Sequence, residues 1–252
     1  MIKLNSQFFW VAGPYMVTLA FIVGMIWRYK YDRYGWTSRS SQLYENRLLR
    51  IGSPLFHGGI LLALMGHIAG LVIPASLTER VGITEHAYHL VAVISGTISG
   101  VMVVLGMSIL IWRRRTNFRV FSVTTPMDKL MYLVLGSVVA LGMMNTVGVQ
   151  LFGIGGYPEG YNYRETISVW FRSIAMFNPK PELMADAPIS FKFHIIAAML
   201  LIALTPVTRL VHIFSVPLGY VSRPYIVYRT RDGKVGASRA PERGWEPLSP
   251  RE

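Results

Sequence analysis

Four of the chain's six histidines lie inside long apolar runs, where an ionisable ring is costly unless it is paired or functional. His57 and His67 fall in PLFHGGILLALMGHIAGLVIP, residues 54–74, and His194 and His212 in SFKFHIIAAMLLIALTPVTRLVHIFSVP, residues 190–217. On one continuous helix the 18-residue spacing of His194 and His212 is five turns, which points both rings from one face at an axial separation of ~27 Å. The ten residues between His57 and His67 span ~15 Å and rotate the rings by ~80°, so these two share a broad face. Neutral imidazole binds iron, zinc and copper alike. A lone histidine in such a helix is more often a packing residue or proton relay than a ligand. Four of them, in two runs, call for an account of the elements that carry them.

Those elements are membrane helices. Hydrophobic residues make up 52% of the 252 residues and charged ones only 15%, far from the balance of a soluble domain. Charge-free windows run over 4–27, 51–78, 86–112, 130–158 and 193–208. Four of them exceed the ~20 residues that cross a bilayer. The fifth crosses if Lys192 and Arg209 snorkel to opposite interfaces. The expected architecture is an all-α membrane protein, a five-transmembrane-helix bundle with spans near 8–27, 54–74, 90–112, 130–152 and 190–214. The first apolar run is too long for a cleavable signal peptide.

The net charge of +12 sorts by loop, which argues against a nucleic-acid footprint. Segments 28–53 and 113–129 and the chain from Arg209 onward hold nineteen Lys and Arg, against six in the alternate segments. This asymmetry places the N-terminus outside and the C-terminus in the cytoplasm. The absence of cysteine excludes disulfides, thiolate-bound clusters and covalent c-type haem.

With that topology the second span runs outward and the fifth inward, so depth pairs His67 with His194 and His57 with His212. Two axial ligands of one iron lie ~4 Å apart, given metal–nitrogen bonds of ~2 Å, so each site needs both helices. The ~15 Å and ~27 Å spacings disagree, and tilt and a kink at Pro206 must absorb the difference. Zinc would want four ligands at one place. Separated pairs, with Gly58, Gly59, Gly66 and Gly70 interspersed, fit two bis-histidine b-type haems, one above the other. Arg209, three residues before His212, is placed either to pair with a haem propionate or to snorkel.

The remaining segments read more plainly. Aromatics at both ends of the first span (Phe8, Phe9 and Trp10 against Trp27) suit interfacial belts. Ser53 and Pro54 read as N-cap and first helical residue of the second span. Gly96 and Gly100 form a GxxxG packing pair, and Met143 and Met144 read as packing. His86 and His89 precede the third span, as interfacial residues or proton handlers. Residues 165–177 suit a short amphipathic helix with Ile167, Trp170, Phe171 and Ile174 inward. The aromatic, basic loop 28–53 is either a solvated loop or a partner's docking surface. The tail 223–252, beyond a membrane domain over 1–222, is either disordered alone or a strap over a cytoplasmic partner.

The runs LFHGGILLALMGH, RYKYDRYGWTSRSSQ and RLVHIFSVPLGYVSRPY, together with both histidine spacings, resemble the gamma subunit, the membrane cytochrome b, of respiratory nitrate reductase. The likeness covers residues 8–229. It implies a diheme quinol dehydrogenase in a prokaryotic cytoplasmic membrane. The outer haem, on His67 and His194, would take electrons from the quinone pool near the outer face. The inner haem, on His57 and His212, would pass them to an iron–sulfur beta subunit and on to a molybdenum-containing alpha subunit that reduces nitrate. The family's lysine in the outer loop before the third span is missing here. Residues 74–89 hold none, and His86, Tyr88 and His89, with Gly70, are the candidate quinol contacts.

Rival readings differ in testable ways. A related diheme subunit could serve a sulfite-reducing or heterodisulfide-type complex. A histidine-relay transporter predicts acidic residues within the spans, and the five windows contain none. A purely structural anchor would not need four histidines at paired depths.

Overall fold

The computed structural model describes residues 7–215, so the tail 223–252 lies outside the described residues. Every element among them is helical. In chain order these are α1 (Gln7–Tyr31), α2 (Arg47–His67), α3 (Ala75–Arg80), α4 (Glu85–Thr116), α5 (Phe118–Ser122), α6 (Pro126–Met143), α7 (Ile167–Ala175) and α8 (Ile189–Leu204). A π-helical turn, Ile68–Val72, extends α2, and a longer one, Met144–Leu151, extends α6. Five helices are long and apolar enough to cross a membrane: Gln7–Tyr31, Arg47–Val72, Glu85–Thr116, Pro126–Leu151 and Ile189–Val207. The protein is thus an all-α, five-helix membrane bundle.

Three of these helices start earlier than their charge-free windows, each for a local reason. α2 begins at Arg47 rather than at Pro54, because the Glu45 carboxylate accepts the Leu48 N–H at 2.8 Å and supplies the missing cap. Pro54 consequently sits inside the helix. α4 is capped by Thr84, which accepts the Ala87 N–H at 3.2 Å. α6 opens with a full capping box, Thr125 and Asp128 each accepting the other's backbone N–H. These longer first turns bring Glu85 and Asp128 into spanning helices, so the helices are less free of acids than their windows.

The fifth span departs furthest from expectation. α8 ends at Leu204, Thr205–Val207 tightens into a 3₁₀ turn, and Thr208 is extended (φ −111°, ψ 179°). A second 3₁₀ stretch, Arg209–Ser215, then carries His212. Pro206 cannot donate to the helical ladder, and its ring crowds the preceding turn, so the helix breaks rather than bends. His194 and His212 therefore do not share one helix face.

Packing relies on small residues. α2 and α4 form the most extensive helix pair. At their crossings Gly52 faces Ile109, Gly59 faces Met102 and Val103, and Gly106 lies against the Phe56 backbone. Ser99 donates across the pair to the Gly59 carbonyl at 3.0 Å. Gly96 and Gly100 pack on Thr146 and Met143 of the fourth span, as a GxxxG face and a packing methionine should. α1 docks beside α8, with Gly13 against Met199 and Gly24 directly against the Pro206 ring.

Two peripheral expectations are revised. Trp10 is not an interfacial belt residue: it is 1% exposed, packed edge-on to Trp170 at 5.6 Å within a cluster including Ile167 and Met184. In α7, Ile167 and Trp170 do face inward, but Phe171 is exposed, and Ser168 and Ser173 are buried instead. Small hydroxyls fit there because each bonds to backbone: Ser168 Oγ donates to the Gly70 carbonyl at 2.8 Å and Ser173 Oγ to the Trp170 carbonyl at 2.6 Å. On the other side of the bundle, Arg113 is buried and donates to the Ser41 side chain and carbonyl and to both the carboxylate and carbonyl of Glu45. This ties the connection between α1 and α2, residues 32–46, to the end of α4.

Candidate functional site

The four histidines of the two apolar runs come together as two pairs. His57 of α2 meets His212 of the last 3₁₀ stretch with ring centroids 6.2 Å apart and planes at 70°. His67 at the end of α2 meets His194 of α8 with centroids 6.1 Å apart and planes at 23°. The break at Pro206 is what reconciles the two spacings: it ends the helical rise before His212, so both pairs close.

Each ring is held the same way. Nδ1 of His57 donates to the Ser53 carbonyl (2.7 Å), and that of His67 to the Ala63 carbonyl (2.7 Å). Nδ1 of His194 donates to the Val138 carbonyl (3.1 Å), and that of His212 to the Arg209 carbonyl (2.5 Å). A backbone acceptor on Nδ1 fixes the tautomer and leaves the Nε2 lone pair for a ligand, the outer-sphere arrangement that metal-bound imidazoles use. Two metal–nitrogen bonds of ~2 Å plus the half-widths of two imidazoles put axial ring centroids ~6 Å apart, as both pairs are. Among the described residues no group of three or more His, Cys, Asp or Glu side chains forms, so neither pair has the further ligands of a zinc site. At the His67–His194 pair, Gly142 makes room for the ring: a Cβ there would lie 3.1 Å from His194 Cε1. The residues present fit a bis-imidazole iron macrocycle at each pair.

Arg209 is engaged, by a partner outside its own helix. Its Nε donates to Oδ1 of Asp128 at 2.9 Å, and Asp128 is 2% exposed at the start of α6.

Around the end of α2 the candidate quinol residues divide. Gly70, in the π-helical turn just beyond His67, lies under two phenols: a Cβ there would come 2.9 Å from the Tyr163 hydroxyl and 3.3 Å from that of Tyr88. Arg164 lies 3.8 Å over the Tyr88 ring and donates to Glu85 (3.0 Å) and to the Thr78 hydroxyl (3.0 Å). Burial raises the Tyr163 hydroxyl pKa, and neighbouring Tyr88 pushes it the same way, so Tyr163 stays a neutral phenol. Carbonyls of the π turn are satisfied by Ser168 on Gly70 and by Arg172 on Leu71 (3.0 Å). His89 sits beside Gly160, whose φ of +83° and lack of a side chain admit the ring. Gln150, near the same glycine, clamps the Tyr161 backbone through its carbonyl and N–H. His86 is exposed on the same first turn of α4, and no hydrogen bond or ring contact joins it to this cluster. Gly70 and Tyr88 are thus brought together, His89 is close by, and His86 is not.

Sequence reasoning missed Tyr163, Arg164 and Asp128. Arg164 alone left a trace, as one of the four basic residues in segment 153–192.

The helices and pairs define a class: a polytopic all-α membrane protein with two imidazole pairs set across its bundle. The chain belongs to the nitrate reductase gamma subunit family, whose model matches residues 6–231. It is 40% identical over 228 residues to the nitrate reductase gamma chain of Bacillus subtilis, covering 90% of this chain and 100% of that one. It is 33% identical over 232 residues to the respiratory nitrate reductase 2 gamma chain of Escherichia coli, covering 92% and 100%. The nitrate reductase-like protein NarX of Mycobacterium tuberculosis is 50% identical over 242 residues. That match takes 96% of this chain but 36% of NarX, so the chain spans about a third of that relative's length. Family and helices together place the chain in the bacterial cytoplasmic membrane as a multi-pass protein.

Proposed function

We propose that this chain is the diheme, quinol-oxidising cytochrome b subunit of a respiratory nitrate reductase. The observation that carries the reading is the pair of histidine pairs, with centroids at 6.1 Å and 6.2 Å and every Nδ1 committed to a backbone carbonyl. His67 and His194 are the proposed ligands of an outer b haem and His57 and His212 those of an inner one. Arg209, whose Nε is given to Asp128, is the proposed cation toward a haem carboxylate. When bound, the haems supply one-electron redox chemistry at two depths.

The chain's own residues supply placement and proton management. The charge asymmetry supports an N-terminus outside and a C-terminus in the cytoplasm. On that orientation Gly70, Tyr88, Tyr163 and His89 lie at the outer end of the bundle, beside the outer pair. Gly70 gives a flat ring access to the backbone, the phenols offer hydroxyls to a quinol oxygen, and Arg164 holds Tyr88 by its face. His89, and His86 at the exposed rim, are the proposed relays for protons leaving to the outside. Two electrons moving inward while protons leave outward store ~2.3 kcal/mol per charge per 100 mV of membrane potential. The proposed acceptors are an iron–sulfur beta subunit and a molybdenum-containing alpha subunit on the cytoplasmic side; the gamma-chain names of the relatives support association with further nitrate reductase subunits.

A reduced naphthoquinol added to membrane vesicles holding the intact complex tests this reading. Reduction of b-type absorption, followed by reoxidation on adding nitrate, is the expected result. Reoxidation by sulfite or a heterodisulfide but not by nitrate would overturn the assignment of the acceptor, and absence of any b-type absorption would overturn the whole reading.

A further inference from the structure

The break in the fifth span leaves His212 on a short stretch that no helical ladder ties to α8, because Pro206 has no N–H and Thr208 is extended. Something else must set where that stretch sits. Arg209 connects it in two directions at once. Its carbonyl accepts the His212 Nδ1–H, and its side chain reaches Asp128, 81 residues earlier in the chain. Asp128 is itself immobilised. It is N3 of the α6 capping box, its second carboxylate oxygen accepts the Thr125 N–H at 3.0 Å, and the positive end of the α6 dipole favours its charge. The route is continuous: N-terminus of α6, Asp128 carboxylate, Arg209 guanidinium, Arg209 carbonyl, His212 ring. The neighbouring apolar contacts, Val211 fully buried and Phe214 against Phe21 at 5.5 Å, add packing but no direction.

We infer that Asp128 is a positioning residue for the inner site, aiming His212 at His57 through Arg209 and balancing the Arg209 charge beside that site. The inference rests on the diheme reading and goes beyond it, since Asp128 touches neither ring. Removing only the negative charge leaves Arg209 uncompensated in a largely buried place. A positive charge there favours the state with one more electron, so the inner haem becomes easier to reduce. Removing the whole acceptor releases the stretch that carries His212.

The test uses the intact complex in membranes, with a redox titration followed by absorption and by low-temperature electron paramagnetic resonance. Wild-type protein must first show two b haems; if it does not, the diheme reading fails and not this inference alone. In Asp128→Asn, whose single acceptor oxygen can serve Arg209 at the expense of the Thr125 N–H, both haems remain and the inner midpoint potential alone shifts upward. In Asp128→Ala the inner haem's bis-imidazole signature is lost or displaced while the outer one is unchanged. Should the alanine variant fail to accumulate, the asparagine variant decides. An inner haem with unaltered potential in Asp128→Asn, or inner and outer haems altered alike, would overturn the inference.

Discussion

Gly106→Ala is the sharpest perturbation of the α2–α4 pair. A Cβ on Gly106 would lie 2.5 Å from the Phe56 nitrogen, 2.7 Å from its Cα and 2.9 Å from its Cβ. Two of those atoms are helical backbone and cannot rotate away. Carbon contacts settle at ~3.5–4.0 Å, so α2 and α4 must part locally by ~1 Å. Overpacking of this kind costs ~1–3 kcal/mol. The displaced residue directly precedes His57, so the strain also falls on the inner pair. Metal–nitrogen bonds tolerate only ~0.2 Å, and a ~1 Å shift of His57 exceeds that. His67 lies ~15 Å further along α2 and is spared. The assay is thermal denaturation of the detergent-solubilised complex with haem content measured alongside. The expected result is a lowered melting temperature and preferential loss of the inner haem. Gly136→Ala is the control, since no atom lies within 4 Å of a Cβ there, and its effect should stay within ~0.5 kcal/mol. A Gly106→Ala protein that melts like wild type with both haems retained would refute the reasoning.

The outer pair answers to a different glycine. Gly142→Val places a branched side chain where even a Cβ would lie 3.1 Å from His194 Cε1, so a difference spectrum should show outer-haem absorption lost and the inner retained. Arg164→Ala removes the ion pair with Glu85, the Thr78 bond and the cation over Tyr88. Quinol-driven haem reduction should slow by ~10-fold or more, as expected for ~1.4 kcal/mol of lost positioning, while dithionite-reduced spectra stay normal. For Glu45, burial alone would raise the carboxyl pKa, but the Leu48 amide and Arg113 more than offset it and hold it below the usual carboxylate range. A depressed carboxylate adds stability that is complete above the unfolded value of ~4.3 and is lost as pH falls through the folded one. Melting temperature followed from neutral pH into that acid range should therefore fall less steeply in Glu45→Gln than in wild type.

The five spans were legible because hydrophobic length is a property of contiguous residues. Their polar first turns were not, since Glu45, Thr84 and the Thr125–Asp128 box extend helices beyond any charge-free window. The histidine pairs could be read from depth and antiparallel direction, and the spacing mismatch pointed to tilt and a kink at Pro206, where the helix in fact breaks. Sequence did not reveal that the chain breaks there and resumes as a 3₁₀ stretch, because a proline in an apolar run is compatible with a kink as well as with a break. Nor could periodicity find Asp128, Tyr163 or Arg164, whose partners lie far off in sequence: Arg209, Gly70 and Glu85. In α7 an apolar-face reading turned Phe171 inward, whereas Ser168 is buried because its hydroxyl meets the Gly70 carbonyl, which only the tertiary fold brings near, and Ser173 because its hydroxyl bonds back to Trp170 one turn earlier.

Two ligands per iron, drawn from different segments, is the central claim, and ligand-by-ligand loss tests it most directly. Single alanine variants of His57, His67, His194 and His212 in the intact complex, each read by pyridine haemochrome content and low-temperature spectra, should sort into two classes. His67→Ala and His194→Ala should lose one and the same haem, and His57→Ala and His212→Ala the other. Losses that group His57 with His194, or variants that keep both haems, would contradict it.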